Sequence, residues 1–236
     1  MNRLSSELQR LYLPPSAEDL IGPDGAVRAL VLELTQPASW EALAAVWRGV
    51  QTDLELPAPA IAVSGTDGLQ LWFSLAAAVP PAEGRVFLDA LRQRYLAEVA
   101  ATRVRLWPAV DGAAPRHAPR VPAEQGHSGN WSAFVAPDLA PVFADTPWLD
   151  TPPNPEGQAD LLSHLASISA PAWAAACGRL KPAVPVRESK RNDAAGPASS
   201  GLDPKRFLLQ VMGDETVELA LRIEAAKALL PYTEGR

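Results

Sequence analysis

The chain has 236 residues, a formal net charge of −6 and a mean hydropathy of −0.03. Hydrophobic residues at 47% and charged residues at 20% exclude wholesale disorder, and the acidic balance excludes nucleic-acid binding through bulk positive charge. The single cysteine, Cys177, excludes an internal disulfide and a cysteine-based zinc site; within the run Ala174-Ala175-Ala176-Cys177 it reads as a small buried hydrophobe.

The first predicted element is a short helix over Ser5–Tyr12, with Leu4, Leu8 and Leu11 on one face and Pro14-Pro15 ending it. Val27–Thr35 is β-prone and follows the turn Gly22-Pro23-Asp24-Gly25. Ser39 is placed to cap a helix over Trp40–Leu54, whose apolar positions Leu43, Val46, Trp47, Val50 and Leu54 recur at spacings of three and four. Ala60–Ser64 and Leu69–Leu75 flank Gly65-Thr66-Asp67-Gly68 and predict a β-hairpin. A helix over Glu83–Ala100 is expected to bury Val86, Phe87, Leu91, Tyr95 and Val99, and Thr102–Trp107 alternates as a fourth strand. The order β-α-β-β-α-β is that of a ferredoxin-like, or RRM-like, α+β core. A Pro-rich loop (108–128), a strand over Asn130–Val135 and short helices near 137–145, 156–168 and 171–180 complete it.

All seven tryptophans lie between Trp40 and Trp173, so the core belongs to residues 1–182. Residues 183–202 are polar and rich in Gly, Pro and Ser, and read as a flexible linker. Residues 203–236 read as a C-terminal helical hairpin. Asp203 caps its first helix, Gly213-Asp214 breaks it, and Leu219, Ile223, Ala226 and Leu230 share a face in the second. So small a unit needs a docking surface on its own domain, a second copy or a partner. No apolar run approaches the ~20 residues of a membrane span, and Arg3 is not followed by an apolar core. The expected location is cytoplasmic, with no membrane association. Four lysines against abundant Ala, Pro, Leu, Val and Arg point to a GC-rich bacterial genome.

Several residues carry potential chemistry. Glu33 and Thr35 share a face of the first strand, opposite Leu32 and Leu34. Ser64-Gly65 turns into the strand that holds Gln70, Trp72 and Phe73, and Asp111 follows the fourth strand. In order and spacing these features resemble the archaeo-eukaryotic primase-polymerase family of bacterial plasmid and phage replication proteins, over roughly residues 25–115. The resemblance implies an RRM-like catalytic half. Glu33 matches its first carboxylate, Ser64 and Gly65 its Ser-Gly turn, and Asp111 its later acid. Glu33 and Asp111 would then be the metal ligands, with Mg²⁺ or Mn²⁺ as cofactor only if the remnant site works.

Two departures count against activity. Thr35 stands where a second carboxylate belongs, removing a charge from a site that must balance metal and triphosphate. Gln70 stands where a histidine belongs and cannot carry positive charge. The sequence therefore predicts a catalytically degenerate relative from a mobile element or phage-derived locus. Arg103, Arg105 and Trp72 would meet single-stranded or primer-template nucleic acid on an open sheet face. The alternative is a protein-interaction adaptor that docks a partner through 203–236, with the sheet face covered; an active metal-dependent nucleotidyltransferase is a third reading. Bland roles stand beside these. Glu33 can be a solvent-facing edge acid, Asp67 plain turn chemistry and Gln70 the polar side of a half-buried strand. His117, His127 and His164 are too scattered for a metal site, and there is no P-loop or dinucleotide fingerprint.

Overall fold

A computed structural model describes residues 2–180, apart from Asp111, Ala113 and His127, and beyond them Ala226 alone. The expected linker at 183–202, the hairpin at 203–236 and the candidate acid Asp111 therefore lie outside the described residues. The elements in chain order are α1 (Arg3–Leu11), β1 (Val27–Thr35), α2 (Trp40–Thr52), β2 (Ala60–Val63), β3 (Gly68–Val79), α3 (Pro81–Tyr95), β4 (Val104–Trp107), β5 (Ala123–Glu124), β6 (Trp131–Val135), α4 (Pro155–Ser163) and α5 (Ala170–Leu180). This is an α+β architecture around one six-stranded antiparallel sheet, ordered β4-β1-β3-β2-β6-β5.

Local chemistry starts the helices where the sequence places caps. Asn2 Oδ1 accepts from Ser5 N–H at 2.8 Å, Ser39 Oγ from Ala42 N–H at 3.3 Å, and Asn154 Oδ1 from Glu156 N–H at 3.0 Å. The helix expected to run to Ala100 stops at Tyr95. Its sheet-facing stripe is Gly84, Phe87, Leu88 and Leu91, which turns Val86 outward; Val86, expected in the core, is 69% exposed. The fourth strand starts at Val104 rather than Thr102, because Ala101–Arg103 forms a 3₁₀ turn. The helix expected near 137–145 shrinks to the 3₁₀ turn Ala140–Phe143.

Both faces of the sheet are buried. On the first, Leu30, Leu32, Leu34, Ile61, Val63, Leu69, Leu71 and Phe73 pack under α2, α3 and α5. On the second, Ala29, Val31, Ala60, Ala62, Trp72 and Phe134 are covered by Leu4, Leu11 and Tyr12 from the N-terminal helix region, Ala159 and Leu162 from α4, and Ala118 and Val121. An open second face, the expectation behind a base stacking on Trp72, is not what the chain builds. α1 and α4 are fastened there by backbone capping across long sequence distances. Arg10 donates to Leu162 O (2.9 Å) and Leu165 O (3.0 Å), and Arg28 to Arg10 O, Leu13 O and Leu75 O.

Candidate functional site

The register of the sheet assembles the candidate residues. Glu33 lies directly opposite Gln70 on β3 and opposite Arg105 on β4, so all three project from the second face. Trp72 is two residues along from Gln70 on that same face. Glu33, expected as either a ligand or an exposed edge acid, is in fact 3% exposed, because β1 is an inner strand. Its carboxylate is fully engaged by two partners. Gln70 Nε2 donates to Oε2 at 2.9 Å and Arg105 Nη1 to Oε1 at 2.9 Å.

From there the network runs both ways. Gln70 Oε1 accepts from Trp72 Nε1–H at 2.8 Å, which satisfies the amide at both ends and fixes its orientation. Arg105 reaches past Glu33 to Asp67, donating from Nη1 to Oδ1 at 2.8 Å and from Nη2 to Oδ2 at 2.9 Å. Asp67, read from sequence as plain turn chemistry, is thus a member of the site. Its pKa is lowered: partial burial opposes ionisation, but the Arg105 hydrogen bonds and charge and the Thr66 hydroxyl outweigh it. The Arg105 pKa is raised, first by the hydrogen bond to Asp67 and, against some burial, by the charges of Glu33 and Asp67. Gly68 makes the arrangement possible: a Cβ there would lie 2.8 Å from both Cγ and Oε1 of Glu33.

The Ser-Gly turn closes on itself rather than around a ligand. Ser64 Oγ accepts from Thr66 N–H (3.1 Å) and Gly68 N–H (2.9 Å), while Gly65 N–H donates to Pro147 O at 2.9 Å. These donors, which could otherwise cradle a phosphate, are spent. Thr35 Oγ1 donates to Arg103 O at 3.2 Å. Arg103, expected beside Arg105 on the strand, sits in the 3₁₀ turn; its guanidinium donates to Pro37 O, and its Nε is buried without a hydrogen-bond partner.

Trp72 is 2% exposed, enclosed by Tyr12 (ring centroids 5.3 Å apart), Phe134 (5.9 Å) and His117 (6.4 Å). No base can reach its ring in this arrangement. Tyr12 is the buried anomaly of the cluster: its hydroxyl has no hydrogen-bond partner, and burial pushes its pKa far up. His117, passed over in the sequence as one of three scattered histidines, is bonded through both ring nitrogens, to Ala29 O and Ala118 N–H. The register could have pointed to Asp67, one residue before the start of β3; nothing in the sequence pairs His117 with β1.

Chemically, the site is an ion-pair cluster in which two carboxylates share one guanidinium, and one of them, Glu33, is buried. Among the described residues no group of three or more His, Cys, Asp or Glu side chains is placed to hold a metal ion. None of the helices described is long and apolar enough to cross a membrane. Compared with protein families and with curated proteins, the chain matches no family model and no curated protein.

Proposed function

We propose that this chain is a non-catalytic protein-interaction module whose likeness to primase-polymerases is one of descent rather than activity. The run β1-α2-β2-β3-α3-β4, with these strands ordered β4-β1-β3-β2, supports reading its core as ferredoxin-like. The observation that carries the functional reading is the Arg105 clasp between Glu33 and Asp67. A divalent cation that sought Glu33 would have to displace a guanidinium already held by three carboxylate oxygens. A phosphate that recruited Arg105 would leave a carboxylate 3% exposed with no counter-ion, an arrangement burial strongly penalises. Either way, the chemistry expected of a primase-like site works against the fold.

A covered sheet face leaves interaction, rather than base stacking, as the use of the domain. The partner-binding surface in this reading is the sequence-predicted apolar face of 203–236, with Leu219, Ile223 and Leu230 as its anchors.

Fluorescence anisotropy of labelled single-stranded and primer-template DNA tests the reading, run at two salt concentrations with and without Mn²⁺ and nucleotide. Flat titrations are the expected result. Salt-sensitive binding that disappears in the Arg103→Ala, Arg105→Ala double variant would replace it with a replication-accessory role. Mn²⁺-dependent nucleotide incorporation lost on Glu33→Gln would restore catalysis.

A further inference from the structure

Residues 117–122 cross the aromatic part of the second sheet face without regular structure. On one side the chain is held by the Ala109–Arg116 backbone pair (2.8 and 3.0 Å), and on the other by β5, which starts at Ala123. Between those anchors, none of residues 117–122 forms a backbone–backbone hydrogen bond among the described residues. What fixes the segment is side-chain chemistry. Ala118 and Val121 are buried against Trp72 and its neighbours, Ser132 Oγ reaches Arg120 O at 3.5 Å, and the His117 ring bridges to β1.

The two bonds of that ring determine its state. Ala118 N–H donates to Nδ1 at 2.9 Å, so Nδ1 carries a lone pair and the ring proton sits on Nε2, where it donates to Ala29 O at 3.0 Å. A second proton has only Nδ1 to occupy. There it would face the Ala118 N–H, donor against donor, in a partly buried site.

We propose that His117 is an acid-released latch: neutral, it fastens residues 117–122 over the second sheet face; protonated, it lets that segment go and uncovers Trp72. Burial lowers the His117 pKa, against the bonds to Ala29 and Ala118 and the charge of Asp19. The charged surroundings do not offset this. Asp19 favours the protonated ring but is itself engaged by Arg120 at 3.2 Å, and the strands packed on the ring present Ala29 and Trp72, which carry no charge. The closed arrangement is therefore complete above the ordinary histidine pKa and is lost as the pH falls through the lowered one. The latch gives the closed face a second, open state, and does not depend on which partner the module binds.

Amide hydrogen exchange on the full chain between pH 7.5 and 4.5, corrected for intrinsic rates, tests the latch beside a titration of the imidazole ¹⁵N shifts. Protection of Ala118 N–H and Trp72 Nε1–H is expected to fall at least tenfold at the midpoint where the His117 imidazole titrates, while β1 and β3 amides stay protected. In His117→Gln, which keeps a donor for Ala29 O and cannot titrate, Ala118 protection should not vary with pH. Protection that persists through the imidazole titration, or an imidazole that stays neutral at pH 4.5, overturns the latch. So does simultaneous loss of protection across β1 and β3, which is global unfolding. Should His117→Gln fail to fold, coincidence of the two midpoints in the wild-type chain decides.

Discussion

At the scale of single residues, Glu33 shows how position in the sheet decides what a carboxylate can do. On an edge strand it would be solvated; on β1, between β4 and β3, it is 3% exposed and its two oxygens are held by Arg105 and Gln70 instead of water. Arg105→Ala should therefore destabilise the fold by about 2 kcal/mol, the range of a charged hydrogen bond whose partner stays buried. Adding Glu33→Gln should recover part of that loss, because the second substitution removes the stranded charge. Urea unfolding of the two single variants and the double variant gives the coupling directly. Equal and additive losses would show that Glu33 does not rely on Arg105. The sequence made Glu33, Gln70 and Arg105 candidates, since each is polar on an alternating strand. It could not show that they meet, because their contact is set by a register between segments 37 and 72 residues apart.

At the scale of elements, most of the helices and strands were legible because caps, prolines and apolar spacing agree locally. Failures came where tertiary packing chose among local options. The α3 stripe admits either Val86 or Leu88 by composition, and the sheet selects Leu88, which is fully buried. Helix–helix approach sets further limits. At Gly49 of α2, an added Cβ would lie 2.3 Å from Cε1 of Tyr95 on α3, and the Tyr95 hydroxyl donates to Asp53 at 3.0 Å. That bond and burial hold the Tyr95 pKa up at about 12. Gly49→Ala should destabilise by about 1–3 kcal/mol through overpacking. It should also bring the Tyr95 titration back toward ordinary tyrosine, read by ultraviolet difference absorbance at 295 nm. An unchanged titration would mean α2 and α3 part without moving that ring.

The β6 edge carries a second element-scale device that no local pattern announces. Gln158 of α4 accepts from Phe134 N–H at 2.8 Å and donates to Phe134 O at 2.9 Å, so its amide stands in for a neighbouring strand. Leu149 exchanges two backbone bonds with Trp131 (2.8 and 3.0 Å) on the same strand. The Gln158 amide and the two-residue β5 close the side of β6 away from β2, which would otherwise offer free backbone groups to another chain. Gln158→Ala leaves a buried N–H and C=O without partners, and about 2–3 kcal/mol of stability should go with them. Chemical denaturation measures the loss; a change below about 0.5 kcal/mol would mean water replaces the amide.

For the molecule as a whole, the decisive fact is that one sheet serves two cores. Alternation in β1 and β3 suggested one apolar and one polar face, and read alone it left the second face open. The polar residues on it, Glu33, Thr35, Gln70 and Ser74, are all buried, and each is hydrogen-bonded within the fold. The elements that cover them come from both ends of the domain, with α1 and α4 held together across more than 150 residues by Arg3–Asp160 and Arg10–Leu162 contacts. Because both cores share β1 and β3, neither can be lost without exposing the other's strands. At pH 7.5, unfolding in urea should then be a single transition. The near-ultraviolet circular dichroism of the packed tryptophans and tyrosines should share its midpoint with the far-ultraviolet helix signal. Trp72→Phe should shift both midpoints together, since it removes the Nε1–H bond to Gln70 along with ring area in the second core. An early near-ultraviolet transition that Trp72→Phe abolishes would instead make the covering of the second face an appendage, one that opens while the first core holds.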